Sequence, residues 1–232
     1  MDFIVDGIKQ ALELLLSLEP EVLQITLLSL RLSGIATAIS LVLGLPIGTM
    51  LALGRFRGRR LWLSLANTGM ALPPVVVGLV VALMFWRSGP FGSFGIMYSP
   101  AAIVIAQLII ATPIIIALTV ASLQQLDPAL QLQLLGLGAS RMQMVWILWK
   151  EARMPLLAAL MAAFGAAISE VGAVMMVGGN LRGHTRVLTS AIVLETGRGE
   201  FAPAIALGVI LLLLAFTINL GLTLIQQRKV KR

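Results

Sequence analysis

Residues 101–126 read AAIVIAQLIIATPIIIALTVASLQQL, a run without a single charge. A helix needs roughly 20 mostly apolar residues to cross the hydrocarbon of a bilayer, so this stretch alone places the chain in a membrane. Working outward, charge-free windows recur at 32–54, 61–86, 154–169 and 201–227. The polar, glycine-rich stretch Gly89-Pro90-Phe91-Gly92-Ser93-Phe94-Gly95 precedes the quoted run and stands apart from its helix. Glu170 interrupts the fourth window, beyond which apolar sequence continues to Val177. The expected fold is all-α, with five transmembrane helices at about 27–54, 61–86, 101–125, 154–177 and 202–226. A membrane β-barrel would alternate over segments of about ten residues, and runs such as Val209 to Leu214 do not alternate.

Composition narrows the function. Of 232 residues, 59% are hydrophobic and 12% charged, against about 25% charged in a soluble domain. With no cysteine and one histidine, His184, neither a disulfide scaffold nor a multi-histidine metal centre is available within one chain. The net charge of +7 is a matter of topology. Eleven Lys and Arg fall in the 55–60 connector, the 126–153 segment and the C-terminal tail, and five (Lys9, Arg87, Arg182, Arg186, Arg198) fall on the other side. Cytoplasmic loops carry the excess of basic residues. The N-terminus is therefore expected outside and the C-terminus inside, and the basic charge speaks for membrane lipid rather than nucleic acid.

Residues 1–20 carry no basic signal-peptide region. Ile4, Ile8, Leu12, Leu15 and Leu16 fall at helical spacing, opposite Asp6, Lys9 and Glu13, which predicts an amphipathic helix lying on the outer face. Residues 228–232 form a basic tail.

Three consecutive spans contain proline: Pro46, the pair Pro73-Pro74, and Pro113. Proline removes a backbone donor and kinks a helix, and broken helices at membrane depth occur where protein or water satisfies the freed backbone. These prolines read either as a substrate path or as packing. The fourth span bears a stripe of small residues at 158, 162, 166, 169 and 173, and the first span has Gly44 and Gly48. Small faces allow close helix approach, within one subunit or between two. Glu170 lies among them, so it either serves the path, pairs with a neighbouring helix or sits at the outer interface. The 126–153 segment is helical on both sides of Gly136-Leu137-Gly138-Ala139-Ser140-Arg141 and reads as a helix–turn–helix able to dock a partner. In the outer loop Arg182, His184 and Arg186 alternate; in an extended segment all three project to one side, as a mouth for an oxyanion, a contact for an acidic protein patch, or a contact for lipid phosphates.

Asp127-Pro128-Ala129-Leu130, followed by Leu137-Gly138-Ala139-Ser140-Arg141 and apolar residues to Met154-Pro155, resembles the cytoplasmic signature of ABC importer permeases. That signature is Glu-Ala-Ala, three residues, Gly, nine residues, Ile-x-Leu-Pro. With Gly138 at the family glycine, Leu132-Gln133-Leu134 replaces Glu-Ala-Ala, and Pro155 comes four residues late. Ser169-Glu170-Val171-Gly172-Ala173 through Gly178-Gly179-Asn180, with Thr185-Arg186-Val187-Leu188-Thr189, is similar to the tungstate branch of the family. The molybdate branch has a related pattern with phenylalanine where Val171 stands.

The resemblance implies a type I ABC importer permease fold over 21–227, in a bacterial or archaeal cytoplasmic membrane. It implies one half of a homodimer, supplied by an extracytoplasmic oxyanion-binding protein and driven by two copies of a separate ATPase. ATP and magnesium would sit on that ATPase, with no cofactor in this chain; the chain holds no Gly-Lys dipeptide and hence no P-loop. The expected cargo is tungstate, with molybdate as the alternative. The coupling site would be Gly136, Gly138, Ala139, Ser140 and Arg141. The path or gate would involve Pro73, Pro74, Glu170 and Gly172, and the outer mouth Asn180, Arg182, His184 and Arg186. A membrane enzyme finds no nucleophile–base pair here, and a proton-coupled carrier would show several buried ionisable groups or inverted repeats.

Overall fold

The computed structural model describes residues 2–17 and 19–228. Tail residues Lys229, Lys231 and Arg232, and Leu18 at the close of the N-terminal segment, lie outside the described residues. The described chain forms α1 (Asp2–Ser17), α2 (Pro20–Leu53), α3 (Arg59–Met70), α4 (Pro74–Phe85), α5 (Pro100–Gln124), α6 (Pro128–Gly136), α7 (Arg141–Glu151), α8 (Arg153–Ile168), α9 (Gly172–Gly178), α10 (Leu188–Arg198) and α11 (Phe201–Arg228), with a 3-10 turn at Gly92–Phe94. Helices α2, α5 and α11 are each long and apolar enough to cross a membrane; counting the bent pairs α3–α4 and α7–α8 as one crossing each gives five.

The first crossing is built inside-out relative to a soluble helix. Ser29, Ser33, Ala36, Thr37, Ser40, Gly44 and Gly48 of α2 are buried, while Leu27, Val42, Leu43 and Met50 are exposed. Small residues let helices approach, and hydroxyls bond across them. A Cβ on Gly44 would stand 2.8 Å from Ile115 Cγ2, and one on Gly48 2.7 Å from Thr119 Cβ. The expected close approach at Gly44 and Gly48 is thus made, onto α5.

Two of the expected continuous spans are broken. The 61–86 span divides at Ala71–Pro73, where α3 and α4 meet at 102°. Adjacent prolines withhold two donors, and the residue before each is driven out of the helical region. The 154–177 span stops at Ile168 and restarts at Gly172 as α9. Pro46 and Pro113, by contrast, stay within unbroken helices. One lost donor is tolerated where a neighbour packs tightly, and a Cβ on Gly69 of α3 would lie 2.7 Å from the Pro113 ring.

The stripe of small residues on α8 is mostly left uncovered within this single chain. Ala159, Ala163 and Ala167 are the buried face, whereas Ala158, Ala162 and Ser169 are exposed and Ala166 is half-buried. Of the expected stripe, Ala173 is buried. Both faces of α8 are small, so residue size alone does not say which one meets a neighbour.

Each end of the bundle has its own apolar cluster. Leu123, Leu148 and Ala152, with Leu53 and Leu130, join α2, α5, α6 and α7 at one end. Ile25, Leu188, Ala191, Leu207 and Ile210 join α2, α10 and α11 at the other. Helix α1 packs against α11 through Gly7, whose Cβ would stand 2.6 Å from Ile205 Cβ. Its apolar Ile4, Ile8 and Leu12 stay uncovered by protein.

Candidate functional site

The two breaks lie against each other. A Cβ on Gly172 would stand 2.6 Å from Val75 Cγ2, and one on Gly78 2.6 Å from Ala173 Cα. The residues singled out as a path or gate, Pro73, Pro74, Glu170 and Gly172, are thereby brought together, with α4 starting at the prolines and α9 at the glycine.

The second break is finished off chemically on both sides. Helix ends leave backbone donors and acceptors without helical partners, and burial makes each costly. Glu170, 7% exposed, accepts a 2.8 Å hydrogen bond at Oε1 from Ala173 N–H in the first turn of α9. Its backbone carbonyl accepts from the Thr189 hydroxyl of α10 at 2.9 Å. On the α8 side, Gln107 Nε2 of α5 donates to the Ala167 carbonyl at 2.9 Å and to Ser33 Oγ of α2 at 3.2 Å. Glu170 is therefore a backbone cap at the restart of the helix, and among the described residues no cation pairs with it. Gln107, Ser33 and Thr189 escaped sequence reading, although an amide inside the charge-free 101–126 run was an available signal.

The turn between α6 and α7 follows directly from its residues. Asp127 Oδ1 accepts from Ala129 N–H at 2.8 Å and starts α6. At the other end Gly138 N–H donates to the Leu135 carbonyl and Ala139 N–H to the Leu134 carbonyl, each at 3.0 Å. With Gly138 at φ +79°, this is the Schellman arrangement that closes a helix through a left-handed residue. Ser140 then caps α7: Gln143 N–H donates to Ser140 Oγ, and Ser140 N–H to Gln143 Oε1. Gly136 ends α6 and Arg141 opens α7. The predicted helix–turn–helix is present, and it thrusts Leu137 (84% exposed) and Met142 (78%) away from the bundle. Behind it, Trp149 Nε1 of α7 donates to Thr49 Oγ1 of α2 at 2.9 Å, and α7 bends into α8 by 73°.

The loop at 180–186 corrects the extended reading of Arg182, His184 and Arg186. The Leu181 carbonyl accepts from the N–H groups of His184, Thr185 and Arg186, and Gly183 has φ +73°, so the segment is a tight turn. Arg182 forms a two-pronged ion pair with Glu21 of α2, donating from Nε at 2.8 Å and from its terminal nitrogen. Arg186 approaches the same carboxylate at 3.6 Å, while His184 is exposed. The Glu21 carboxylate, first by its hydrogen bond and then by its charge, raises the Arg182 guanidinium further above its ordinary range. Asn180, at φ +52°, accepts from the Ser190 hydroxyl at 2.9 Å, a partner inside the protein.

A bundle of membrane-length helices with two apposed breaks and a protruding capped turn at one end fits the membrane part of a transporter. Residues 44–231 match the family of the binding-protein-dependent transport system inner membrane component, and the chain belongs to that family. It is 38% identical over 219 residues to the tungstate uptake system permease protein TupB of Peptoclostridium acidaminophilum, covering 94% of this chain and 96% of that one. Over 200 residues it is 40% identical to a probable anion ABC transporter permease protein of Haloferax volcanii, covering 84% and 86%. The fold matches the inward-facing MetNI methionine ABC transporter with a TM-score of 0.75, 20% identity, and coverage of 91% of this chain and 97% of that one.

Proposed function

We propose that this chain is the permease subunit of an ATP-driven importer for tungstate, a tetrahedral oxyanion. The observation that carries the cargo is the similarity to the tungstate permease over nearly the whole length of both chains. Two copies form the pathway, and the exposed Ala158, Ala162 and Ser169 edge of α8 supports a second copy packing there, because small residues let membrane helices approach. A separate subunit, also in two copies, hydrolyses ATP with magnesium. It docks on the α6–α7 turn at Gly136, Gly138, Ala139, Ser140 and Arg141, where exposed Leu137 and Met142 offer apolar contact.

Force applied at that turn reaches α8 through α7 and reaches α2 through the Trp149–Thr49 hydrogen bond. It arrives at the paired breaks, where Pro73, Pro74, Glu170 and Gly172 form the gate. Like charges repel, so a carboxylate committed to capping suits a dianion path better than a free one. The α6–α7 end faces the cytoplasm, following the excess of Lys and Arg on that side. Asn180, Arg182, His184 and Arg186 then face outward and receive the loaded binding protein.

The test is uptake by the reconstituted system with tungstate, molybdate and sulfate compared side by side, with binding-protein-stimulated ATP hydrolysis read in parallel. Tungstate should drive both. Molybdate is a near-isosteric dianion and the natural competitor, and a preference for it would move the chain to the molybdate branch. Uptake that persists without ATP would overturn the importer reading.

A further inference from the structure

The end of the bundle that carries the α6–α7 turn also holds a cavity of about 680 Å3 between the 54–60 connector and α6. Its wall includes Arg55, Arg59, Arg60, Pro128 and Gln131, and no carboxylate lines it. Arg59 is built into the wall: its Nε donates to the Leu51 carbonyl at 2.6 Å, and a terminal nitrogen donates to the Ala52 carbonyl at 3.4 Å. Those bonds close the C-terminus of α2 and fix the guanidinium in place. Arg55 and Arg60 are exposed, and among the described residues neither side chain has a hydrogen bond or an ion pair. Arg57, in the same connector, is not part of the wall.

Orientation in the membrane requires only that such charges be present on one side. It does not require three of them to converge on a cavity with one pinned in place. Guanidinium groups bind phosphate-like oxyanions through paired hydrogen bonds. We propose that this cavity is a binding site for a phosphate-like tetrahedral oxyanion, presented either as a free ion or as the headgroup of an acidic phospholipid. An occupant would bridge the first connector to α6 and so tie α2 to the turn that receives the ATPase. The site is distinct from the central path and from the outer loop, and its existence does not depend on which anion is imported.

The experiment follows the thermal midpoint of the full-length permease, with its ATPase partner where the two copurify, because a ligand bound to the native state raises that midpoint with concentration. One arm titrates orthophosphate and tungstate in detergent. The other compares nanodiscs of phosphatidylcholine alone with nanodiscs containing phosphatidylglycerol. A shift in the first arm assigns a free ion, and a shift confined to the second assigns a lipid headgroup. Arg55→Gln with Arg60→Gln should weaken the response by on the order of tenfold per guanidinium removed, and Arg57→Gln should leave it unchanged. Arg55→Lys with Arg60→Lys keeps the charge that sets topology, guards against failed insertion, and should still weaken the response. The proposal is overturned if neither probe shifts the midpoint, or if Arg57→Gln loses as much as the double variant. It is likewise overturned if only the ATPase subunit shields Arg55 and Arg60, which would make the cavity a protein-docking surface.

Discussion

Gly172 and Val75 face each other at a distance that leaves no room for a Cβ: one added to Gly172 would lie 2.6 Å from Val75 Cγ2. The start of α9 and the start of α4 meet at that point, so the two broken crossings share a single seam. Gly172→Leu should insert normally but lose most transport, since overpacking costs typically ~1–3 kcal/mol and here it wedges the seam. Val75→Ala removes the clashing methyls and should restore uptake to the Gly172→Ala variant. The readout is uptake per inserted molecule, and additive effects in the double variant would show that the seam is not where transport is lost.

Glu170 acts as an acceptor for Ala173 N–H, a job that glutamine can also do. Glu170→Gln should therefore keep most stability and uptake. Glu170→Ala should be poorer by roughly 1–3 kcal/mol, the cost of an orphaned buried donor, and should impair transport. Thermal unfolding of both variants in detergent, set beside uptake, decides the matter. Equal damage from both substitutions would move the importance from the cap to the negative charge.

A side chain at Gly138 would meet open space, but the residue sits at φ +79°. The constraint is therefore conformational, and asparagine should be tolerated best among L-residues. Gly138→Asp should leave the permease in the membrane yet abolish uptake and weaken copurification of the ATPase. Normal uptake by that variant at normal membrane abundance would remove the turn from the coupling route.

Arg182 and Arg186 converge on one partly exposed carboxylate, Glu21. An exposed pair of this kind is screened by solvent and adds little to stability, so Arg182→Ala with Arg186→Ala should barely change the unfolding midpoint. It should lower maximal uptake at saturating loaded binding protein while basal ATP hydrolysis continues. Contacts made by such charges are screened within about 8–10 Å at ordinary salt, so the wild-type requirement for binding protein should rise with ionic strength. Unchanged maximal uptake in the double variant would leave both arginines as ordinary loop charges.

The crossings were legible because a charge-free run of twenty or so residues has few other homes. The α6–α7 turn was legible because glycine, serine and their neighbours prescribe local hydrogen bonds. What stayed hidden depends on contacts distant in sequence. Nothing local to Glu170 says that its carboxylate would cap Ala173, or that Gln107 would reach the Ala167 carbonyl sixty residues on. Of the prolines left open between path and packing, Pro73-Pro74 marks a true break, whereas Pro46 and Pro113 stay inside unbroken helices and Pro113 packs against Gly69. The alternation of Arg182, His184 and Arg186 suggested an extended segment, but the Leu181 carbonyl gathers three amides into a turn.

The long helix α2, Pro20–Leu53, has a further consequence. Between Arg31 and Arg55 the sequence carries no charge over residues 32–54, which at 1.5 Å per residue is ~35 Å of helix. A typical hydrocarbon layer is ~30 Å thick, and a modest surplus is taken up by tilt. The two arginines therefore act as the end stops of a ruler. In a thinner membrane the helix must lean, and because Gly44 and Gly48 fix α2 onto α5, the pair must lean together. The tilt of the first crossing, and with it the angle at which Glu21 and its two arginines are presented at the surface, is then set partly by the lipid in which the protein is dissolved.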